Sequence, residues 1–309
     1  MKLAFLDIKT IGDVPNLKIL ERFGEVTYYQ TTNSSETYER VKDADVIITN
    51  KVVIDKAIID KASKLKLICV AATGTNNIDI KAAEQKGIAV KNVSDYSTNS
   101  VAQGTFALLL HLVNKISYYD NYVKEGCYSK SDIFTHLEKP FSDLSGKRFG
   151  IIGLGNIGRK VAGIAAAFGC EVVYYSTSGQ NNDQPYKRLE LVEFLTTSDI
   201  ISIHAPLNDN TANLINYQRL QLMKPTAIVV NTGRGGIINE TDLLQALESD
   251  LIAGAAIDVY QKEPMDANSP LLQVTNKEKI VLTPHVTWAS IESRTLLMKK
   301  VEQNIEVFL

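Results

Sequence analysis

Cysteine is scarce in this chain. The 309 residues include three, Cys69, Cys127 and Cys170, an odd number at wide spacing. A disulfide framework needs paired cysteines and a zinc site needs its ligands in close pairs, so the sequence favours neither. The pattern predicts free thiols in a reducing compartment and no bound metal.

The sequence also lacks a basic tract and a long apolar run. Lysine and arginine number 33 against 35 acidic residues, a formal net charge of −2, so neither nucleic acid nor an anionic membrane is an expected partner. The apolar stretches are far shorter than a membrane span requires. At the start of the chain, Asp7 interrupts the apolar segment before a signal-peptide core could form. We therefore expect a cytoplasmic protein.

The chain does contain a regular alternation of predicted strands and helices. Its length predicts two domains, and a hydrophobic fraction of 45% lets each of them bury a core. In the N-terminal third, short apolar runs alternate with helix-like segments such as Asn16–Phe23. The predicted strands are Leu3–Ile8, Val26–Tyr29, Val46–Thr49, Leu67–Ala71 and Ile88–Val90. This alternation predicts an α/β domain whose parallel sheet is covered on both faces.

The pattern of apolar and polar residues changes after this region. Ser100–Lys115 is apolar on most of its circumference, as in a helix buried on several sides. Ser117–Phe141 follows as an irregular, tyrosine-rich stretch with no core of its own. A second alternation runs from Lys147 to about His285. The last segment, Ile291–Phe308, is predicted to be an amphipathic helix that packs back on the first domain and makes that domain discontinuous.

A glycine-rich turn opens the second alternation. Gly153, Gly155 and Gly158 form the pattern G-x-G-x-x-G between an apolar strand and a helix, with Asn156 and Ile157 inside it. The first glycine permits a tight turn, the second lets backbone N–H groups approach a pyrophosphate, and the third lets the helix pack close to the strand. A tight strand–helix turn without a ligand is the simpler interpretation, but the strand and helix on either side favour a dinucleotide site.

One element that such a site usually has is absent. An acid at the end of the second strand normally accepts hydrogen bonds from the adenosine ribose. Here that strand, Glu171–Tyr175, runs into Ser176-Thr177-Ser178-Gly179 without a carboxylate. The sequence therefore leaves the choice between NAD and NADP open.

Polar residues follow four further apolar strands. The segments in question are His204-Ala205-Pro206, Asn231-Thr232-Gly233-Arg234-Gly235, Asp258-Val259 with Glu263-Pro264 beyond it, and Thr283-Pro284-His285. Because the carboxyl ends of parallel strands meet at one edge of a sheet, these residues should converge on one crevice with the glycine turn.

Three of these residues suit the reduction of a ketone. Glu263 against one imidazole nitrogen of His285 would favour the protonated ring, which is what a proton donor needs. Arg234, flanked by glycines, has room to bind a planar anion, although a surface ion pair is the simpler interpretation. His204 can equally be a polar strand terminus. His111 and His136 are expected to be structural.

Taken in order, these motifs resemble those of the D-isomer-specific 2-hydroxyacid dehydrogenase family. The matching segments run the length of the chain: Ala72–Asp79 (ATGTNNID), Leu144–Lys147 (LSGK), the glycine turn, Ser198–Leu207 (SDIISIHAPL), Met223–Pro225, Asn231–Gly235, Asp258–Val259, Glu263–Pro264 and Thr283–His285.

The resemblance implies a role for each matching position. Arg234, Glu263 and His285 would be the catalytic set, with Arg234 and His285 also touching the substrate. Asp258 would hold the nicotinamide carboxamide. The substrate carboxylate would bind the backbone around Thr73 and Gly74. Further cofactor contacts are expected at Gly153, Gly155, Asn156, Ile157, Gly158, Ser176, His204, Pro206 and Thr232.

The resemblance also implies the architecture. The fold would be α/β, with two Rossmann-like, doubly wound parallel-sheet domains. A cofactor domain at 99–285 would be inserted into a substrate domain made of 1–98 and 286–309. Members of the family are usually dimers, and the corresponding contact here would involve residues 100–142. We therefore expect a homodimer.

Within the family, the motifs look most like the glycerate dehydrogenase (hydroxypyruvate reductase) branch. This implies an NAD(P)-dependent oxidoreductase acting on hydroxypyruvate/D-glycerate or glyoxylate/glycolate. Two positions depart from the pattern: Ser176 replaces the usual acid, and Gly104 stands where that branch often has His. The alternatives are a short phosphoglycerate dehydrogenase and a non-enzymatic, dinucleotide-sensing binding protein.

Overall fold

The computed structural model describes residues 1–181 and 185–309. The strands are β1 (Lys2–Phe5), β2 (Glu25–Tyr28), β3 (Val46–Thr49), β4 (Leu67–Val70), β5 (Ala89–Lys91), β6 (Arg148–Ile152), β7 (Glu171–Tyr175), β8 (Lys187–Arg188), β9 (Ile200–Ile203), β10 (Ile228–Asn231), β11 (Gly254–Ile257) and β12 (Ile280–Leu282). The α-helices are α1 (Ser34–Val41), α2 (Lys56–Lys61), α3 (Ile80–Gln85), α4 (Thr98–Val113), α5 (Ile116–Lys124), α6 (Asn156–Ala167), α7 (Leu191–Thr197), α8 (Tyr217–Leu220), α9 (Glu240–Glu248) and α10 (Ile291–Phe308). Among these helices, none combines the length and the apolar character that a membrane span needs.

The chain packs into two compact units. Unit 1 consists of Met1–Ser97 and Ala289–Leu309, and unit 2 of Thr98–Trp288. Each unit has its own parallel sheet, so the predicted α/β class with two parallel sheets is confirmed. The boundaries expected from the sequence, after residues 98 and 285, are close to these but not identical. Which unit serves cofactor and which serves substrate stays a prediction at this point.

Unit 1 is built on a five-stranded sheet with the order β2-β1-β3-β4-β5. Every residue of β3 and β4 is buried, because a central parallel strand is covered on both faces and therefore reads as a continuous apolar run. The C-terminal helix α10 packs against β4. Its residues Leu297, Met298, Val301 and Ile305 are fully buried, so unit 1 takes its core from both segments.

One predicted helix of unit 1 takes another form. Asn16–Phe23 forms turns that end in a 3-10 helix, Ile19–Phe23, rather than an α-helix. Leu20 is its buried residue, and Arg22 pairs with Glu302 of α10 at 2.7 Å. With a single buried residue, the segment lacks the apolar stripe that holds an amphipathic α-helix on a core.

Unit 2 is built on a seven-stranded parallel sheet with the order β12-β11-β10-β9-β6-β7-β8. The chain runs outward from β6 to β8, then returns to the other side of β6 with β9. In such a sheet the crevice for a ligand lies at this reversal, outside the carboxyl ends of the strands. The reversal therefore lies where β6 ends in the glycine turn and β9 ends in His204.

The long helix α4 is already covered by its own unit. It packs against α6, β10, β11 and β12, and Phe106 stacks on Phe149 and Phe168 with ring centroids 5.9 and 5.4 Å apart. Packing within one chain thus accounts for the apolar residues around this helix. These residues are therefore no longer evidence that a partner chain buries it.

The stretch after α4 is more ordered than the sequence predicts. It contains the helix α5 and a 3-10 turn, Tyr128–Lys130. Tyr122 and His136 stack with their ring centroids 3.8 Å apart, and the Tyr118 hydroxyl lies 2.7 Å from His136 Nε2. The stretch therefore has a small aromatic cluster of its own. The prediction of an irregular segment is therefore wrong for α5, whereas the prediction that the stretch has no core is confirmed, since none of residues 117–141 is buried.

Candidate active site

The glycine turn has the geometry that a pyrophosphate site requires. Gly153 has φ +90°, and a Cβ there would lie 2.8 Å from the Ala205 backbone. A Cβ on Gly158 would lie 2.3 Å from the Gly153 carbonyl oxygen. At Gly155 no described atom lies within 4 Å of the Cβ position, and as N-cap of α6 this residue offers no side chain to the first helical N–H groups. The open space and the uncapped helix start fit a bound phosphate group.

Ser176 follows β7 at the position where an acid is usual. The residue is 6% exposed, and its Oγ has no hydrogen-bond partner within the part of the chain that the structure describes. A hydroxyl can accept from or donate to a ligand, whereas a carboxylate only accepts. Ser176 itself therefore carries no negative charge that would repel a 2′-phosphate.

His204 ends β9 beside the glycine turn. Its N–H donates to the Ile152 carbonyl at 2.8 Å, and its Nε2 lies 2.8 Å from Ser202 Oγ. Burial of the ring lowers the pKa of His204 to about 3. The imidazole is therefore neutral at neutral pH and cannot serve as an acid. Its buried Nδ1 has no partner among the described residues.

Two neighbouring positions predicted to contact the cofactor are occupied by local bonds. The Pro206 carbonyl accepts from Thr211 Oγ1 at 2.7 Å, and Thr232 Oγ1 lies 3.0 Å from Thr105 Oγ1 of α4. Pro206 lies just beyond β9, which borders the reversal, and Thr232 lies just beyond β10, the next strand of the sheet. Their contact with a cofactor stays a prediction.

Arg234 lies in a tight loop after β10. Asn231 fixes this loop, because its Nδ2 donates to the Arg234 carbonyl at 2.9 Å and its Oδ1 accepts from the Gly233 N–H at 3.1 Å. A Cβ on Gly235 would lie 1.9 Å from the Tyr260 carbonyl oxygen, so only glycine lets this loop approach the one after β11. The guanidinium makes no ion pair with any described carboxylate of unit 2, which argues against the surface ion-pair interpretation.

His285 and Glu263 form the pair that the sequence suggested. His285 Nδ1 and Glu263 Oε2 are 2.8 Å apart, and Glu263 Oε1 accepts the Tyr260 N–H at 3.0 Å. Both side chains are half-buried. Because the backbone fixes one carboxylate oxygen, the other is held against the ring, and Nε2 is left for a ligand.

Asp258 holds the loop that carries His285. Its Oδ1 accepts hydrogen bonds from Thr283 Oγ1 at 2.6 Å and from the Val286 N–H at 2.9 Å. Its Oδ2 accepts hydrogen bonds from the Thr287 N–H at 3.0 Å and from Thr287 Oγ1 at 2.6 Å. These four donors fill the lone pairs of a fully buried carboxylate. A nicotinamide carboxamide would have to replace one of them, so that implied role stays a prediction. Sequence reasoning missed the structural role.

The same network accounts for the backbone of His285. The residue has φ +53°, a left-handed conformation that costs a non-glycine residue on the order of 1–3 kcal/mol. The His285 N–H donates to the Asp258 carbonyl at 2.8 Å, and Asp258 holds the residues on either side. The surrounding bonds thus stabilise a conformation that aims the imidazole along a defined direction.

Thr73 and Gly74 belong to unit 1. They follow β4 at the carboxyl edge of its sheet, where Thr73 Oγ1 donates to the Val93 carbonyl at 3.1 Å and the Thr73 carbonyl accepts from Asn92 Nδ2 at 2.6 Å. The other predicted site residues lie at the carboxyl edge of the unit 2 sheet. The sequence-predicted set therefore divides between the two units, with the acid–base pair and Arg234 in unit 2.

Comparison with known proteins identifies the family of this chain. Residues 106–287 match the family model described as D-isomer specific 2-hydroxyacid dehydrogenase, NAD binding domain. The chain belongs to this family, as its motifs predicted. It is accordingly a D-2-hydroxyacid dehydrogenase, an oxidoreductase that transfers a hydride between a nicotinamide cofactor and a 2-hydroxy acid or its keto form.

Two relatives and one solved structure are similar to this chain over its whole length. The chain is 35% identical to a hydroxypyruvate reductase of Blautia hydrogenotrophica, covering 100% of this chain and 97% of that protein. It is 36% identical to a glycerate dehydrogenase of Methylorubrum extorquens, covering 100% and 96%. Among solved structures, an acyclic imino acid reductase in complex with NADPH and D-Arg superposes with a TM-score of 0.88 at 31% identity, covering 100% and 97%.

Proposed function

We propose that this enzyme reduces hydroxypyruvate to D-glycerate, or glyoxylate to glycolate. The observation that carries the chemistry is the His285–Glu263 pair, held at 2.8 Å at the same sheet edge as Arg234. The names of the relatives support the substrate class. Hydroxypyruvate and glyoxylate are small 2-keto acids, and each offers the carboxylate and carbonyl oxygen that a guanidinium fork can bind together.

The chain's own residues perform three tasks in this proposal. Arg234 binds the substrate carboxylate and polarises the ketone oxygen. His285 donates a proton from Nε2 to that oxygen, and Glu263 holds the ring at Nδ1 so that Nε2 faces the substrate. The cofactor, when bound, supplies the hydride. The glycine turn, the start of α6 and Ser176 are the residues that would hold it.

We assign the two units different roles. Unit 2 binds the cofactor, which its glycine turn and the matched family model support. Unit 1 contributes the backbone around Thr73 and Gly74 to the substrate carboxylate. The absence of an acid at Ser176 supports use of both NADH and NADPH. We also propose a cytoplasmic location, on the grounds of three unpaired cysteines, two of them buried.

We further propose a homodimer formed through the segment after α4. The exposed apolar side chains of this segment are Ile116, Val123, Ile133, Phe134, Leu137 and Phe141, with Phe134 88% exposed. This number of exposed apolar side chains in one segment is typical of a protein interface. The dimer of the proposal buries this segment rather than α4.

A short phosphoglycerate dehydrogenase is the second candidate. The chain is 38% identical over 274 residues to a D-3-phosphoglycerate dehydrogenase of Methanocaldococcus jannaschii, of which it covers 50%. The two candidates differ by one phosphate on the substrate. An enzyme specific for the phosphorylated acid needs additional cationic side chains beyond Arg234 to bind that group.

A substrate panel tests the proposal. NADH and NADPH oxidation is followed with hydroxypyruvate, glyoxylate, pyruvate and phosphohydroxypyruvate. We expect kcat/KM to be highest for hydroxypyruvate or glyoxylate. Preference for phosphohydroxypyruvate would replace the proposal with the second candidate. An enzyme that binds the cofactor but turns over none of these acids would leave a dinucleotide-sensing protein instead.

A further inference from the structure

A short segment of unit 2 joins the loop that carries Arg234 to the helix α9. It ends at Glu240, the first residue of that helix. Asn239 caps the helix, because its Oδ1 accepts hydrogen bonds from the N–H groups of Thr241 and Asp242, each at 3.1 Å. The cap holds the backbone of Glu240 at a defined helix start.

Both ends of this segment contact one peptide group of the loop after β11, the junction peptide Tyr260–Gln261. Glu240 Oε1 accepts the Gln261 N–H at 2.7 Å, and Glu240 Oε2 lies 3.4 Å from Ser269 Oγ. At the other end of the segment, a Cβ on Gly235 would lie 1.9 Å from the Tyr260 carbonyl oxygen and 2.6 Å from the Gln261 nitrogen. The junction peptide is thus held against the segment at both ends.

The junction peptide also supports the acid–base pair. The Tyr260 N–H donates to Glu263 Oε1 at 3.0 Å, and Oε2 of the same carboxylate lies 2.8 Å from His285 Nδ1. The Tyr260 hydroxyl donates to the Thr283 carbonyl at 2.7 Å, two residues before His285. Burial raises the pKa of Tyr260 to about 12, so this donor keeps its proton at neutral pH. A displacement of Tyr260 would therefore disturb both partners of the pair.

We propose that Glu240 is a positioning residue, which sets the spacing between Arg234 and His285 by holding the junction peptide in place. The inference rests on the proposed function, in which the guanidinium and the imidazole act on one small keto acid. When two groups must act together on one molecule, a misplacement of about 1 Å can lower the rate about 100-fold. Without the bond from Glu240, each group is still present but their alignment is lost.

Replacing Glu240 by Leu removes the hydrogen bond and keeps most of the side-chain volume. We expect Glu240→Leu to lower kcat for the best acid of the panel about 10- to 100-fold. Binding of oxamate, an analogue of a 2-keto acid, to the complex with NADH should weaken less than about threefold, because Arg234 still holds its carboxylate. Calorimetry should find the same number of NADH and oxamate sites per chain as in the wild type, whereas partial unfolding would reduce that number.

Two further variants separate positioning from charge and from the stability of the helix. Glu240→Gln keeps an oxygen that can accept the Gln261 N–H, so kcat should stay within about threefold of the wild type. Glu248 supplies the matched control, because it lies on the same helix and its Oε1 accepts the Thr275 N–H at the same distance, 2.7 Å. Glu248→Leu should leave kcat unchanged. A Gln variant as slow as the Leu variant would contradict a role through this hydrogen bond.

A double-mutant cycle decides whether Glu240 acts through His285. In the His285→Gln background the proton donor is absent, so Glu240→Leu should lower the remaining rate by less than about twofold. An equal fold loss in both backgrounds overturns the inference and leaves the proposed function standing, as does a Glu240→Leu enzyme with the kcat of the wild type. Equal losses in the Glu240 and Glu248 variants overturn it as well. A His285→Gln enzyme with near wild-type turnover contradicts the proposed function itself.

Discussion

At the scale of single residues, His285 is held from two sides. Glu263 fixes the ring at Nδ1, and the Asp258 network fixes the backbone in its left-handed conformation. Replacing His285 by Gln keeps the size and polarity but removes the proton donor. We expect kcat to fall about 100-fold or more, the scale of lost general acid catalysis, with the Kd for NADH unchanged. Rapid-mixing kinetics and a fluorescence titration measure the two. A variant that keeps most of its turnover would remove His285 from the mechanism.

Arg234 is expected to be sensitive to a conservative change. Arg234→Lys keeps the charge but replaces a planar fork by a point charge, which cannot bind carboxylate and carbonyl oxygen together. We expect a higher substrate KM and a lower kcat, for a combined loss in kcat/KM of about 100-fold or more. Steady-state kinetics with the best acid of the panel measures it. Near wild-type values of both constants would show that Arg234 is not the substrate clamp.

The lowered pKa of His204 predicts that the folded protein loses stability in acid. Its pKa is lowered from 6.5 to about 3 in the folded chain, so between these values the unfolded chain binds the proton and the folded chain does not. Stability is therefore lost as the pH falls below about 6.5, by up to about 1.4 kcal/mol per pH unit from this group. His204→Asn should flatten that loss in urea unfolding curves measured from pH 7 to pH 5.

Another histidine supplies the control for that measurement. His111→Asn removes a half-buried ring whose Nε2 contacts Ser117 Oγ at 2.8 Å. It should keep the acid sensitivity of the wild type. The same pH slope in the His204 variant and the wild type would mean that other groups cause the acid lability.

At the scale of elements, the strand ends were predictable and their supporting contacts were not. His204, Arg234, Asp258 and His285 could be placed at one edge because parallel strands leave no other arrangement for their carboxyl ends. The lone pairs of Asp258, by contrast, are filled by residues 25 to 29 positions away. Such a partner leaves no periodicity in a sequence.

The helix α5 shows a second limit of sequence patterns. None of its residues is buried, and Ile116 and Val123 are largely exposed. Because the rest of the chain does not cover its apolar side chains, no buried stripe holds this helix in place. The aromatic contacts of Tyr118 and Tyr122 with His136 replace that stripe.

The exposed segment after α4 is the proposed interface of the homodimer, which can be tested by mutation. Wild type should sediment as a dimer at micromolar concentration. Phe134→Asp places a charge on a side chain that is 88% exposed in one chain, so it should leave the fold intact and shift the protein to monomer. Val192→Asp, at an exposed position of α7, is the matched control and should remain dimeric. A monomeric wild type would contradict the proposed dimer.

At the scale of the whole molecule, unit 1 depends on the last helix of the chain. Met298 of α10 is fully buried, whereas Leu296 is 38% exposed. Met298→Ala should destabilise unit 1 by about 2–5 kcal/mol, the usual range for a buried large-to-small change. Leu296→Ala should cost much less. Hydrogen exchange resolved along the chain measures both, and equal effects would mean that α10 does not complete this core.

The return of α10 to unit 1 also sets an order of events on the ribosome. Unit 2 is one uninterrupted segment, so it can fold as soon as it has emerged. The first 97 residues must wait for α10 while unit 2 is made, roughly 10–40 s at 5–20 residues per second. During that interval the apolar surface of β4 that α10 covers stays open to water. During synthesis the N-terminal segment thus exposes apolar surface that a chaperone could cover.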